Sequence, residues 1–198
     1  MSQENVKLVG GVRTPVTVSS DTRRTLGQRI FIRFPVLARA VSRGWSRLPP
    51  RSRLRRALTA YIWRSGIEAA NRRDFDVLVL ALDPAFEIEL TESLAGGYTL
   101  PDLVGVHRGH EGYLSVWQRL NEVWDLRFET EEVIDFGDRL LAVGRVTAQG
   151  RRTGIALDAP LFSVITIRRG LFARQQDFSD RDEALEAAGL TEHPLSTS

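Results

Sequence analysis

The chain contains no cysteine, which excludes disulfides, thiolate metal sites and a cysteine nucleophile. Histidine is scarce: His107, His110 and His193 are the full set, and none of their spacings is a His-x-x-x-His or His-Glu-x-x-His pattern. Neither a metal centre nor another cofactor is expected. No apolar run approaches the roughly 18 residues needed to span a bilayer. The opening MSQENVKLVGG has no hydrophobic signal core, so the expected location is the cytoplasm. Lysine occurs once, at Lys7, and every other basic side chain is arginine. Coding composition explains that bias more simply than phosphate binding does.

With 198 residues, 42% hydrophobic and 26% charged, the chain can form one domain with a real core plus an appendage. The net charge of +2 hides an asymmetry. Residues 1–60 hold 13 basic residues against Glu4 and Asp21, a balance of +11, whereas the remainder holds 14 against 23, a balance of −9. Met1–Asp21 is polar, with Gly10-Gly11 and Thr14-Pro15, and reads as mostly unstructured. In Arg24–Leu48 the residues Leu26, Ile30, Phe31, Phe34, Leu37, Val41, Trp45 and Leu48 recur at three- and four-residue steps. They predict an amphipathic arm, split by Pro35 into two short helices and flanked by the basic stripe Arg39, Arg43 and Arg47. The first expectation for its apolar face is the protein's own body or a second subunit. An anionic membrane surface is the sharper alternative, and nucleic acid, for which no motif is present, comes last.

Leu54–Leu90, LRRALTAYIWRSGIEAANRRDFDVLVLALDPAFEIEL, is the stretch that organises the rest. Leu54, Leu58, Tyr61, Ile62, Ser65 and Ala69 fall at helical spacing and predict the buried stripe of a long helix. Asn71–Asp74 ends it, and Asp74 is placed to cap a second helix, Phe75–Leu82, which Asp83-Pro84 stops. Phe86, Ile88 and Leu90 alternate with Glu87 and Glu89 as a strand does. Leu90–Val106, with several glycines and Pro101, reads as a loop long enough to rim a cleft. His110–Trp124 is a third helix. Strands follow at Leu126–Asp135, Leu140–Ala148, Ile155–Arg168 (bulged at Pro160) and Leu171–Phe178, with a closing helix at Asp180–Ala187. Thr191–Ser198 reads as a loose tail.

Helices with one early strand, then consecutive hairpin strands, imply an α+β fold: a cone-shaped roll of curved antiparallel sheet packed on three helices. The segments EAANRRDFDVLVLALDPAFEIEL, GVHRGHEGYLSVWQRLNEVW, EEVIDFGDRLLAV and SVITIRRGLFARQQDFSDRDEALEAAGL resemble a SnoaL-like member of the nuclear transport factor 2-like superfamily. The resemblance divides the chain into a basic, partly helical extension (1–54), the cone domain (55–190) and a tail (191–198). It implies a homodimer and a pocket at the open end of the cone for a small hydrophobic ligand. It says nothing of activity, because this fold hosts cyclases, isomerases, hydrolases and non-catalytic binders.

Set against ketosteroid isomerase in that superfamily, the general-base position falls on Glu89. The oxyanion tyrosine position falls on Gly66 and the protonated aspartate position on Ser163. Both strong donors are missing, which argues against enolate stabilisation. A carboxylate at Glu89 would act as a base if it pointed into an apolar pocket. Arg145, which shares a face with Val143 and Thr147, would be its partner if inward, and His107 sits at the pocket mouth. These three, Glu89, His107 and Arg145, are the candidate catalytic residues. Tyr61, Trp117, Val143, Leu161, Ser163 and Ile165 are the candidate pocket lining, with Trp124 a further aromatic. Asp158 and Asp177 rank lower because neither has an identifiable partner. Two readings remain open: a non-catalytic binding or interaction module, which the missing donors favour, and a cofactor-independent cyclase, isomerase or hydrolase acting on a small apolar or polycyclic metabolite with Glu89 as base.

Overall fold

Ser52 starts the helix on which the cone is built: its side chain accepts a hydrogen bond from the Arg55 amide, and the helix then runs to Arg72. It ends at Arg73, whose left-handed backbone (φ 59°) turns the chain back. The computed structural model describes residues 11–17, 23–91 and 100–189. Among these, the elements in order are β1 (Val12–Pro15), α1 (Leu26–Arg33), α2 (Pro35–Arg47), α3 (Arg53–Arg72) and α4 (Phe75–Leu78). After a 3-10 turn at Val79–Ala81 come β2 (Leu82–Leu90), β3 (Gly105–Arg108), α5 (Gly109–Val123), β4 (Trp124–Asp135), β5 (Arg139–Gly150), β6 (Ala156–Arg168), β7 (Leu171–Phe178) and α6 (Arg181–Ala187). The strands form one curved, unclosed sheet in the order β1-β4-β5-β6-β7-β2-β3. All its pairings are antiparallel except β2 with β7, which is parallel.

The α+β cone is thus the architecture found, with differences in detail. A short strand, β1, occupies part of the segment read as unstructured and pairs with the end of β4. β3 occupies the end of the segment read as a loop; that loop's central part, residues 92–99, lies outside the described residues, as does the tail beyond Gly189. The second helix is shorter than Phe75–Leu82, and β2 runs through Asp83-Pro84 instead of starting after it. Proline is tolerated there because the β2–β7 register shifts between Leu82 and Glu87, so no ladder bond needs its missing N–H. Pro160 causes no bulge. It pairs in register with Arg145, and β7 joins β6 only from Phe162 onward, so the proline faces a free edge.

The buried side of α3 is wider than the stripe read from its apolar residues: Ala69 is fully buried and Leu58 and Ile62 pack half-buried on the core, as that stripe implies. Leu54 is exposed, whereas Arg55, Thr59 and Trp63 are buried, because each has a polar partner inside. Arg55 Nε and Nη2 donate to the two carboxylate oxygens of Asp135 at 2.6 and 2.8 Å. Arg55 also donates to the carbonyls of Ser46 (3.1 Å), Leu48 (2.7 Å) and Gly137. Thr59 donates to Asp135 and accepts from the Trp45 indole at 2.9 Å, and the Trp63 indole donates to Thr130 at 3.0 Å. Polar residues are spared the cost of burial when fully bonded, which an apolar periodicity does not register.

The arm forms the two helices expected around Pro35, which takes the first position of α2. Thr25 and Gln28 make a reciprocal capping box on α1. One face of the arm packs on the body: Gln28, Ala38 and Trp45 are buried, and Arg24 grips Asp74 with two 2.7 Å bonds. Asp74 is therefore an anchor for the arm, and its side chain does not cap α4. At Gly170 (φ 82°) a Cβ would come within 2.5 Å of the Ser42 carbonyl oxygen, so glycine there lets α2 lie against the β6–β7 turn. Leu26, Ile30, Phe34 and Leu37, expected on the packed face, are exposed instead.

Breaking the Arg55–Asp135 pair would leave an uncompensated buried charge. Asp135→Ala is expected to cost about 3–5 kcal/mol in urea unfolding at neutral pH. A loss within measurement error would show that the network is not a stabilising constraint.

Candidate functional site

The concave face of the sheet, α3, α5 and the arm enclose a cavity of about 170 Å³. β2 contributes Ile88 and Leu90 to its wall, and α5 contributes Tyr113, Val116, Trp117 and Leu120. β6 and β7 supply the floor through Leu161, Ser163, Ile165, Gln175 and Asp177. Gln28, Phe31, Ala38, Val41 and Ser42 of the arm form the roof. At Gly66 in α3 an added Cβ would meet no atom within 4 Å, so part of the space exists because that position has no side chain.

The cavity's chemistry centres on Asp177. It is a cross-strand neighbour of Ser163 and shares a strand face with Gln175. The Ser163 hydroxyl donates to Asp177 Oδ1 at 2.6 Å, and the Gln175 amide reaches both carboxylate oxygens at 3.0 and 2.9 Å. Burial raises the Asp177 pKa from its ordinary 3.8 to about 6, against the pull of the Ser163 and Gln175 hydrogen bonds, which favour the charged form. Nearby, burial pushes the Tyr113 hydroxyl upward against the opposing pull of the Trp117 indole, and the Asp177 charge adds to the rise. Tyr113 therefore stays a protonated donor. The indole N–H of buried Trp117, which lines the same cavity, lies toward the Tyr113 hydroxyl but makes no well-formed hydrogen bond among the described residues. A buried donor without a well-formed bond carries a desolvation cost that a bound acceptor would relieve.

Tyr61, Trp117, Leu161, Ser163 and Ile165 all line the cavity. Val143 does not. It packs on the opposite face of the sheet, in the cluster around Phe162 and Leu185, since the inward positions of β5 are Leu140, Ala142, Val146 and Ala148. The same alternation turns Arg145 outward, where it is exposed and pairs with Asp158 at 2.7 Å instead of with Glu89. Glu89 likewise lies on the face opposite Ile88 and Leu90, held by Arg174 at 2.7 Å and Gln176 at 2.9 Å. His107 is on β3, not in a turn at the mouth. Its Nε2 lies 2.8 Å from the Leu103 carbonyl oxygen, and it does not line the cavity. Glu89, His107 and Arg145 are thus neither in the cavity nor grouped together. Asp177, ranked low for want of a partner, has two. The available signal was that Gln175 and Asp177 sit two apart in a strand whose neighbour carries Ser163. Reading it required the β6–β7 register. No group of three or more Asp, Glu or His side chains among the described residues is placed to hold a metal ion.

Residues 63–175 match the model of the SnoaL-like domain. The chain belongs to the SnoaL-like domain family. None of the curated proteins matches it in sequence, and solved structures resemble it in fold. An NTF2-like protein of unknown function from Burkholderia pseudomallei is 21% identical, with a TM-score of 0.53 over 66% of this chain and 94% of that one. An NTF2-like protein from Burkholderia thailandensis is 24% identical, with a TM-score of 0.53 over 67% and 96%. TerC, co-crystallised with polyporic acid, is 21% identical, with a TM-score of 0.52 over 66% and 95%. The family model begins at Trp63 and leaves β1, α1 and α2 outside it. The roof of this SnoaL-like cavity is therefore built by a segment beyond the family core.

Because folding raises the Asp177 pKa, the folded state holds a proton that the unfolded state releases. Asp177 thus weakens the fold as pH rises from 3.8 to about 6 and has a constant effect above that. Relative to Asp177→Asn, the parent's Tm should fall across that window and then run parallel. A Tm difference that is flat from pH 3.5 to 8 would contradict the raised pKa.

Proposed function

We propose that this SnoaL-like protein binds a small, mainly apolar molecule that carries one hydrogen-bonding group, taken into the roofed cone. The observation that carries this reading is the apolar cavity of about 170 Å³ with a held carboxyl group and an indole N–H without a well-formed hydrogen bond. A cavity of roughly 150 Å³ accommodates a molecule the size of benzene, so a monocyclic compound matches this one. A polycyclic metabolite would require the arm to move. An oxygen on the ligand would accept from Trp117, and burial of the rest would supply the affinity.

A second reading, a cofactor-independent acid–base enzyme, is favoured by one specific feature. The carboxyl group in the cavity has a pKa of about 6, close to the operating pH at which a general acid or base is most effective. Asp177 takes the role expected of Glu89, with Ser163 and Gln175 orienting it. Tyr113 and Trp117 would donate to an oxygen that gains charge during proton transfer.

Gly66→Leu separates these readings from misfolding, since leucine has better helix propensity than glycine and its side chain would occupy empty space. Titration of cyclohexanone, followed by tryptophan fluorescence, should show saturable binding to the parent and none to Gly66→Leu. Trp117→Phe should weaken binding roughly fivefold to tenfold, the value of one hydrogen bond, followed by calorimetry. Deuterium exchange at the ketone α-carbon, read by NMR, then decides on catalysis. Exchange that Asp177→Asn abolishes without loss of binding supports the enzyme, and absence of exchange leaves a binder. Equal affinity of parent and Gly66→Leu would sink both readings.

A further inference from the structure

The arm's inner face roofs the cavity, but its outer face has no role in that site. Five of the nine large apolar side chains exposed among the described residues lie there: Leu26, Ile30, Phe34, Val36 and Leu37. Leu26 (74% exposed) and Val36 (79% exposed) are more open than any of the others. At about 100° per residue, Leu26 and Ile30 lie on the side of α1 opposite buried Gln28, with Arg29 and Arg33 beside them. On α2, Val36, Arg39 and Arg43 lie away from buried Ala38 and Trp45. Between Asp21 and Glu68 the sequence contains twelve arginines and no carboxylate. Arg24 and Arg55 are committed to Asp74 and Asp135. Arg29, Arg33, Arg39, Arg43 and Arg47 are exposed and make no ion pair among the described residues.

An occupant of this face must offer negative charge and an apolar phase together. A nucleic acid backbone offers the charge but gains nothing from five exposed aliphatic and aromatic side chains. A second copy, related by a twofold axis, would set arginine against arginine with no acidic residue in the arm to relieve the repulsion. A bilayer containing anionic lipid offers both, with headgroup charge above hydrocarbon. No helix among the described residues is long and apolar enough to cross a membrane, so the contact would lie in the interface plane. We propose that the outer face of α1 and α2 docks the folded protein on an anionic lipid surface. The apolar side chains enter the headgroup boundary, and the arginines meet lipid phosphates.

The test is co-sedimentation of the full-length chain with phosphatidylcholine vesicles, with and without phosphatidylglycerol, at low and high salt. The expected result is sedimentation with the anionic vesicles that salt weakens. The double variants Leu26→Ser/Phe34→Ser and Arg39→Ser/Arg43→Ser should each lose roughly tenfold in partitioning, with unchanged circular dichroism. Val36→Glu, at the most open position, probes the same face without touching the cavity and should also bind less. No sedimentation with anionic vesicles at low salt would overturn the proposal, as would binding that all three variants retain. Light scattering that shows a parent dimer turned into monomers by Leu26→Ser/Phe34→Ser would also overturn it, by assigning the face to a second copy.

Discussion

Five residues from three parts of the chain converge on the Arg55 guanidinium. Its pairing with Asp135 joins α3 to the end of β4, and its bonds to the Ser46 and Leu48 carbonyls tie down the end of the arm. Its bond to the Gly137 carbonyl fixes the β4–β5 turn, whose Gly137 amide donates to the same Asp135. Trp45 stacks against the guanidinium at 5.3 Å and donates to Thr59, which in turn bonds Asp135. Both members of the ion pair are almost wholly buried, at 2% and 1% exposure. At that depth the cost of removing the charges from water is offset only because each oxygen and each N–H finds a partner. The network therefore specifies where the arm joins the body, and the height of the cavity roof follows from it.

The floor and the roof obey different constraints. The floor is set by sheet register: Ser163 and Asp177 meet because β6 and β7 pair at that step, and Gln175 joins them by strand alternation. The roof is set by side-chain contacts between elements distant in sequence, such as Gln28 with Ser65 at 2.9 Å and Trp45 edge-on to Phe172 at 6.3 Å. Burial of the Asp177 carboxyl depends on both. Removing the roof would rehydrate the floor and return the acid toward its ordinary range.

Much of the fold was legible because it rests on local signals. Pro35, Asn71–Asp74, the Phe86–Leu90 alternation and the hairpin turns each mark a boundary through backbone chemistry. The SnoaL-like segments supplied the topology. The site was less legible for two physical reasons. Alternation shows which residues share a face but not which face is inward, so Leu161, Ser163 and Ile165 were grouped with Val143 although β5 turns Val143 the other way. Burial of polar residues also depends on partners remote in sequence. Arg55 and Asp177 look like surface residues until Asp135 and Ser163 are placed beside them, and Glu89 looks like a pocket base until Arg174 and Gln176 claim it on the opposite face.

The parallel pairing of β2 with β7 bears on how the molecule is made. Glu89 and Gln176, which bond across that pairing, are 87 residues apart, so the ladder closes one of the longest loops in the fold. During synthesis the arm and α3 emerge well before the Asp135 that neutralises Arg55 and the hairpin against which α2 rests. Until then the basic, apolar arm has no body to lie on. The order of translation thus leaves the basic, apolar arm uncovered until β4 to β7 have followed it, a period in which chaperone contact would bear on yield.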